Sequence, residues 1–384
     1  MKCSGTDIVR GLTIEVLFGE SIETTATSPE SADLFLAPGF IDLQVNGFAG
    51  VDYNNPTVSR EELDRSLHVL RSTGVTRFYP TVITGPPRDM VGALRNLAGF
   101  GDGFHVEGPH ISPEDGPRGA HPRASVRPPD FDEFRRWQDA TDHQVRLVTL
   151  APEWPDAPRY IERVAAEGVV VAIGHTQATT AEIADAVSAG ATLSTHLGNG
   201  AHSVLRRHPN YIWDQLAEDR LMADFIVDGI HLDAAFLKVA LRAKGIDRSV
   251  LVTDASTPAG AAPGRYRLGE QEIDLTADGR VVLAGTDRLA GSALRMDRGI
   301  ANLVRLCGLS LPHAIQMATI NAARAGGVPG RSGGLAPGDR ADFVRFAWDG
   351  AKLEVMETWV SGELVYSARN ADIGSTRDAR LAGT

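Results

Sequence analysis

Cysteine is scarce in this chain. Among the 384 residues only Cys3 and Cys307 carry a thiol. Two cysteines so far apart indicate neither the dense disulfide framework of a small secreted protein nor a metal site built from cysteine. The cysteine content therefore predicts a reducing compartment, and we expect the protein to be cytoplasmic.

Basic charge and long apolar segments are also in short supply. Lys and Arg number 38 against 49 Asp and Glu, a net charge of -11, so nucleic acid is not an expected partner. The start of the chain, MKCSGTDIVRGLTIEV, contains no apolar segment of a signal peptide. No later apolar run approaches the roughly 20 residues that cross a bilayer. These absences predict a soluble, unexported protein with no membrane partner.

The middle of the chain contains short strand-like runs separated by segments with helical periodicity. Several runs are apolar almost throughout, which is typical of strands covered on both faces. The predicted strands are residues 39–46, 75–84, 103–107, 145–152, 169–175, 191–196, 223–231 and 249–254. This alternation predicts an α/β fold, a (β/α)8 TIM-type barrel, with catalytic groups at the carboxyl ends of the strands. A doubly wound sheet is the alternative, but neither GxGxxG nor GxxxxGK[ST] occurs.

Two of the intervening helices have clear start and stop signals. Ser59 with Glu62 and Thr179 with Glu182 each form the pattern of a capping box, which opens a helix. We expect the first of these segments to stop at Gly74. The second is expected to stop at residue 190, also a glycine.

The two ends of the chain have a different pattern from the middle. Segments such as residues 12–17 and 353–360 alternate between apolar and polar side chains, which is typical of half-buried strands. We expect residues 1–36 and 334–384 to form one small β domain, with the barrel of residues 37–333 inserted between them. Residues 368–384 are polar and aperiodic, so we expect them to be a loosely held tail.

Polar side chains collect at the carboxyl ends of the predicted strands. His175 and His196 end successive strands and would face one mouth of the barrel, where neutral imidazole binds a divalent cation. Glu107 ends another strand and completes a set of two histidines and one carboxylate, with a position open for water. Asp254 ends the last strand, where a carboxylate can take a proton from that water and deliver it to a leaving group.

Each of these residues also has a simpler interpretation. A single histidine at a strand end is more often a hydrogen-bonded core or loop residue than a metal ligand. The occurrence of Glu107, His175, His196 and Asp254 together at strand ends of one barrel favours the metal site. We interpret His105, two residues before Glu107, as core packing or as support for the ligands. Imidazole and carboxylate suit zinc first, and they also accept iron, manganese or cobalt.

Ten short segments, in order between about residues 37 and 345, carry a resemblance to a known family. They are APGFIDLQVNG, HVEGPH, RGAHP, TLAPE, GHTQAT, STHLGN, DGIHLD, LVTDAS, LAGSAL and GGLAPGDRADF. Together they resemble the N-acetylglucosamine-6-phosphate deacetylase family of the amidohydrolase superfamily. The resemblance implies the barrel with a small β-sandwich and a divalent metal on Glu107, His175 and His196. It also implies that Asp254 activates water and protonates the departing amine, and that His121 contacts the substrate and its carbonyl.

The first predicted strand departs from many amidohydrolases. Where they have a His-x-His pair that holds a second metal, this chain has Gln44 and Asn46. The substitution resembles the branch of the family that works with one tightly held metal, so we expect a single essential site. Gln44 and Asn46 could hydrogen-bond the substrate or the metal-bound water. Alternatively, they only cap the barrel strand.

The resemblance also implies a phosphate site. In the family, backbone amides and an arginine from a neighbouring subunit hold the sugar phosphate, and the matching residues here are Asn199, Gly200 and Arg207. Arginine suits phosphate because its planar fork donates two parallel hydrogen bonds. The pair of arginines at 206 and 207 could equally be a solvated turn. The position of this segment between His196 and His231 favours the phosphate site. We also expect His231 to bind the substrate. Because the family's arginine comes from a neighbouring subunit, we expect a homodimer.

The segment after residue 197 departs from the family pattern. Residues 198, 200 and 201 are small where the family has an aromatic residue and Ala-Met, and residues 208–214 differ from the usual glycine-rich continuation. With His202, Tyr211 and Trp213 nearby, the sugar subsite could have a different shape.

The resemblance implies a metal-dependent hydrolase. We expect it to remove the N-acetyl group of an N-acetylhexosamine 6-phosphate, first of all N-acetylglucosamine 6-phosphate, giving the amino sugar phosphate and acetate. One alternative is an amidohydrolase that acts on a different N-acyl amine or a cyclic amide. A further alternative is a sugar-phosphate binding protein without catalytic activity.

Overall fold

The computed structural model describes residues 1–328, 330 and 333–369, so most of the predicted tail lies outside the described residues. In chain order the strands are β1 (Lys2–Asp7), β2 (Thr13–Phe18), β3 (Ile22–Thr27), β4 (Phe35–Pro38), β5 (Phe40–Val45), β6 (Gly47–Phe48), β7 (Val51–Asp52), β8 (Val75–Ile83), β9 (Phe104–Glu107), β10 (Val145–Leu150), β11 (Val170–Ile173), β12 (Ala191–Ser194), β13 (Met222–Ile226), β14 (Ser249–Val252), β15 (Gly264–Leu268), β16 (Gln271–Leu275), β17 (Val281–Leu283), β18 (Phe343–Trp348), β19 (Leu353–Val360) and β20 (Glu363–Ser367).

The helices alternate with the strands of the middle part of the chain. They are α1 (Arg60–Arg71), α2 (Pro87–Asn96), α3 (Phe131–Ala140), α4 (Ala157–Ala166), α5 (Thr180–Ala189), α6 (Tyr211–Ala217), α7 (Ala234–Lys244), α8 (Met296–Cys307), α9 (Leu311–Met317) and α10 (Ile320–Ala325). Both predicted capping boxes are present: Ser59 with Glu62 opens α1, and Thr179 with Glu182 opens α5. Helix α5 ends before Gly190 as expected, whereas α1 already ends at Arg71.

Eight parallel strands form the barrel. Their order in the sheet is β5, β8, β9, β10, β11, β12, β13 and β14, and a parallel bridge between Val45 and Ala255 joins the last strand to the first. The interior is filled by apolar side chains such as Leu43, Leu147 and Val250, which are almost completely buried. The predicted (β/α)8 barrel is confirmed, and all eight predicted strands are present.

Five of the predicted strands end two or more residues earlier than expected. Strand β10 stops at Leu150, β11 at Ile173, β12 at Ser194, β13 at Ile226 and β14 at Val252. For β11, β12 and β14 the reason is the backbone: His175, His196 and Asp254 have φ angles of 50°, 29° and 48°, which do not continue a strand. The candidate site residues therefore lie just beyond the strands, in the turns at the barrel mouth.

Strands from both ends of the chain form one sheet beside the barrel. Its order is β20, β19, β18, β4, β1, β2, β3, so β4 and β18 join the amino-terminal strands to the carboxyl-terminal ones. Phe18 packs edge to face on Phe343 and Trp359, with ring centroids 4.9 and 5.3 Å apart. A small β domain built from both termini is therefore confirmed, while the domain boundaries at residues 36 and 334 stay a prediction.

A separate three-stranded antiparallel sheet, formed by β15, β16 and β17, follows the last barrel strand. No apolar run in the sequence predicts it, because its strands are short and partly exposed. The pair Asp278 and Gly279 between β16 and β17 is a hairpin signal that could have indicated it. We refer to residues 264–291 as the cap.

The helices of the described residues span at most 12 residues each. None of them is both long enough and apolar enough to cross a bilayer.

The contact of Phe18 with Phe343 and Trp359 gives a test of the terminal sheet. We expect Phe18→Ala to lower the free energy of unfolding by about 3 to 5 kcal/mol, because it empties a fully buried aromatic site. Leu17→Ala, at the half-exposed neighbouring position of β2, is the matched control and should lower the free energy of unfolding by about 1 kcal/mol or less. Urea denaturation measures both, and equal losses would contradict the packing described here.

Candidate active site

Three side chains meet at the mouth of the barrel. His196 Nε2 lies 2.7 Å and His175 Nε2 3.3 Å from Glu107 Oε1. All three residues are buried, and their ligand-type atoms lie within 4.8 Å of one another. Because Glu107 ends β9 and the histidines follow β11 and β12, only the closed sheet brings them together.

The charges of this group depend on one another. Burial alone would raise the pKa of Glu107, but hydrogen bonds from His175 and His196 outweigh it and hold that pKa well below its ordinary value. Burial alone would likewise lower the pKa of His196, but the carboxylate of Glu107 raises it to about 9. The buried carboxylate is therefore ionised and attracts positive charge at this point.

The donor set fits a divalent cation. The Nδ1–H of His175 donates to the carbonyl of Pro117 at 2.8 Å, and this bond holds the ring with its Nε2 toward Glu107. Ligand atoms around a tetrahedral cation lie about 3.4 Å apart, close to the 3.3 Å between His175 and Glu107. Two imidazoles and one carboxylate, with space beside them, match the pattern of a catalytic metal site.

His121 adjoins this group. Its Nε2 lies 3.3 Å from His175 Nε2 and 3.8 Å from Glu107 Oε2. Burial and the neighbouring His175 lower the pKa of His121 to about 3, so its ring is neutral near pH 7. A neutral ring at this place offers one N–H donor and one acceptor.

Asp254 is held by the two amides of the first barrel strand. Its Oδ1 accepts hydrogen bonds from Gln44 Nε2 at 2.9 Å and from Asn46 Nδ2 at 2.7 Å. Burial and the nearby Glu107 raise the pKa of Asp254 to about 6. A carboxylate with a pKa in this range can both accept and return a proton near neutral pH.

A cavity of about 590 Å³ contains these groups. Most of the residues singled out from the sequence line it, namely Asn46, Glu107, His121, His175, His196, Asn199, Gly200, His231 and Asp254. His231 Nδ1 lies 2.6 Å from Asp228 Oδ2, which orients its ring. Gln44 is not among the lining residues and is in contact with Asp254.

Arg207 lies elsewhere. It is exposed on the segment of residues 201–210 and does not line the cavity of its own chain. Among the residues that could reshape the subsite, His202 lines the cavity and its backbone N–H donates to the hydroxyl of Tyr211 at 2.9 Å. Trp213 is 47% exposed and lies outside the lining.

Several residues of the site were not indicated by the sequence. Asp224 accepts a hydrogen bond from the backbone N–H of His196 at 2.5 Å and so supports the turn that carries this ligand. Arg288 and Gln271 of the cap line the cavity and donate to the carbonyls of Gly119 and Ala120. Among the lining residues Arg288 is the one arginine or lysine. No sequence signal marks it, since the cap itself was not predicted.

His105 differs from its neighbours. Its ring nitrogens lie 3.2 Å from the carbonyl oxygen of Leu43 and 2.7 Å from Thr149 Oγ1, which in turn contacts Thr195 Oγ1. Burial lowers the pKa of His105 to about 4. With both nitrogens engaged, this histidine is a packed and hydrogen-bonded core residue.

Comparison with known proteins agrees with this architecture. The model of the amidohydrolase family matches residues 35–365, so the chain belongs to the amidohydrolase family. Within the family it is an N-acetylglucosamine-6-phosphate deacetylase-like hydrolase. The protein named N-acetylglucosamine-6-phosphate deacetylase of Bos taurus is 36% identical over 383 residues, which span 93% of this chain and 90% of the relative.

Other relatives carry related names. The N-acetylgalactosamine-6-phosphate deacetylase of Escherichia coli O157:H7 is 34% identical over 86% of this chain and 87% of its own length. Among solved structures, a mutant N-acetyl-D-glucosamine-6-phosphate deacetylase of Mycobacterium smegmatis in complex with N-acetyl-D-glucosamine-6-phosphate has a TM-score of 0.87 at 32% identity. The match covers 96% of this chain and 99% of that chain.

The Glu107 group can be tested through metal content. We expect Glu107→Gln to reduce the bound divalent metal by at least about tenfold, because the amide keeps the shape but lacks the charge that attracts the cation. Glu114→Gln, on the exposed part of a nearby loop, is the control and should retain the metal of the unaltered protein. Elemental analysis of the purified proteins decides, and unchanged metal in Glu107→Gln would contradict the site.

Proposed function

We propose that this protein hydrolyses the N-acetyl group of an N-acetylhexosamine 6-phosphate, in the first place N-acetylglucosamine 6-phosphate. The products are the amino sugar phosphate and acetate. The observation that carries the proposal is the group of Glu107, His175 and His196 beside Asp254 in one cavity of about 590 Å³. The names of relatives with 32 to 36% identity support the same substrate class.

Glu107, His175 and His196 would hold one divalent metal. Bound there, the metal would lower the pKa of a water molecule and polarise the acetyl carbonyl. Zinc suits two imidazoles and a carboxylate, and iron, manganese or cobalt suit them as well. The hydrogen bond from His175 to Pro117 orients one ligand, and the backbone N–H of His196, donating to Asp224, fixes the other.

Asp254 would carry the proton between the two halves of the reaction. Its carboxylate takes a proton from the attacking water while the oxygen bonds to the acetyl carbon. It then gives the proton to the sugar nitrogen as the carbon–nitrogen bond breaks, so that water is consumed and amine and acetate are released. The pKa of about 6 suits both steps.

His121 would stabilise the negative charge that develops on the acetyl oxygen. Because the ring is buried and neutral, it can donate one hydrogen bond without bringing a full positive charge next to the ligands. Its distance of 3.3 Å from His175 supports a place beside the reacting carbonyl.

The sugar phosphate would lie at the outer part of the cavity. Asn199 and Gly200 line it and could donate amide N–H groups to the phosphate. The guanidinium of Arg288, from the same chain, could bind the phosphate as well. Arg207 is exposed, so we propose that it serves the cavity of a second copy in a homodimer. His231, oriented by Asp228, would contact a sugar hydroxyl.

A second substrate is favoured by a specific comparison. Relatives with 34% identity are named N-acetylgalactosamine-6-phosphate deacetylases, and they match this chain over nearly the same extent. The two sugars differ only at one hydroxyl, so the same catalytic group could serve either. Gly198, Gly200 and Ala201 line the cavity in which either sugar would lie.

The substrate proposal predicts a clear preference in an acetate-release assay. With N-acetylglucosamine 6-phosphate, kcat/KM should exceed that for free N-acetylglucosamine by on the order of 10- to 100-fold, because charge-assisted hydrogen bonds to phosphate are each about 1.5 to 3 kcal/mol. N-acetylgalactosamine 6-phosphate is run in parallel. Greater activity on the unphosphorylated sugars, or on a cyclic amide, would instead favour the wider class of amidohydrolases.

The role of Asp254 can be separated from metal binding. We expect Asp254→Asn to lower kcat by about 100- to 10,000-fold, since an amide cannot accept the proton. Asp287→Asn on the exposed part of the cap is the control and should keep normal turnover. Both variants should retain the metal by elemental analysis, and normal turnover of Asp254→Asn with metal bound would refute the assignment.

A further inference from the structure

Gln44 and Asn46 approach Asp254 at the seam that closes the barrel. The backbone N–H of Asn46 donates to the carbonyl of Ala255 at 2.7 Å, next to the parallel bridge between Val45 and Ala255. This backbone pairing thus fixes the position of Asn46 along the barrel axis relative to Asp254. The two amide side chains are almost completely buried, with 1% and 2% of their surface exposed.

Both amides donate to the same carboxylate oxygen. Asp254 Oδ1 accepts a hydrogen bond from Gln44 Nε2 at 2.9 Å and another from Asn46 Nδ2 at 2.7 Å. Among the described residues no group donates to Oδ2 of Asp254. The amides cannot be turned around, because their oxygens would then face the carboxylate. Their own oxygens are buried and have no hydrogen-bond partner within the described part of the chain.

We propose that Gln44 and Asn46 are positioning residues, which hold Asp254 by Oδ1 so that Oδ2 is the oxygen that takes and returns the proton. This inference rests on the proposed function. Two N–H donors withdraw electron density from Oδ1 and make it the poorer base, while Oδ2 keeps its lone pairs. They also prevent rotation of the carboxylate, whose backbone lies in the left-handed region with φ of 48°.

A direct role in substrate binding would have different consequences. A residue that binds the sugar or the acetyl group equally in the ground state and the transition state changes KM and leaves kcat unaltered. A residue that only caps the strand acts through its backbone, and the bond from Asn46 to Ala255 remains when the side chain is replaced. The position of Asp254 and the separate values of kcat and KM therefore distinguish the three roles.

The test replaces each amide by an apolar side chain of similar size. For Asn46→Leu and Gln44→Met we expect kcat to fall about 10- to 100-fold, because small displacements of a catalytic group have costs of this order. KM should stay within about threefold and the metal content should be unchanged. Gln138→Met removes a buried amide that bonds only to Val145, far from the site, and should keep normal kcat.

Crystal structures of the two variants give a readout that needs no turnover. We expect the Asp254 carboxylate to turn away from its orientation in the unaltered protein in at least one of them. An unmoved carboxylate with normal kcat, a change confined to KM, or loss of the metal would overturn the positioning role. If the unaltered protein releases no acetate from any sugar phosphate, the proposed function fails, while the crystal structures still decide the positioning.

Discussion

A buried carboxylate is stable only where neighbouring groups compensate its charge, and the candidate site is organised around one such group. Glu107 lies at the end of β9, almost without solvent, and its negative charge is compensated by His175 and His196, which follow β11 and β12. Neither histidine is close to Glu107 in the chain. The ionised state of Glu107 therefore depends on the closure of the barrel, and the affinity for a cation depends on that ionised state.

Further carboxylates surround this group, and their crowding has a physical cost. Burial, and to a smaller extent the charge of Asp254, raises the pKa of both Asp224 and Asp42 to about 7. Asp224 holds the turn of His196, and Asp42 accepts a hydrogen bond from the hydroxyl of Thr253, beside Asp254. These side chains thus support the turns that carry His196 and Asp254. A bound cation would relieve part of the repulsion between them.

The cap gives the site its boundary. Its residues 268–271 and 288–291 form one wall of the cavity, and Gln271 and Arg288 bond to the backbone beside His121. Residues of the cap can vary without disturbing Glu107, His175 and His196, which lie at the end of β9 or on turns after other barrel strands. This separation is consistent with a family in which relatives of similar identity carry names that differ in the sugar.

The local sequence pattern was sufficient to predict the eight barrel strands and both capping boxes. It also placed Glu107, His175, His196 and Asp254 together at the carboxyl ends of the barrel strands. Apolar runs, caps and turns act over a few residues, so they can be read from the sequence. The contacts of Asp254 could not be read in this way, since its partners Gln44 and Asn46 are 210 and 208 positions away. The exposure of Arg207 and the presence of Arg288 in the cavity depend likewise on how distant loops are folded over the barrel. Sequence by itself determined which chemical groups stand at the strand ends, whereas barrel closure and loop packing decided which of them touch, because a hydrogen bond depends on distance in space and not on separation along the chain.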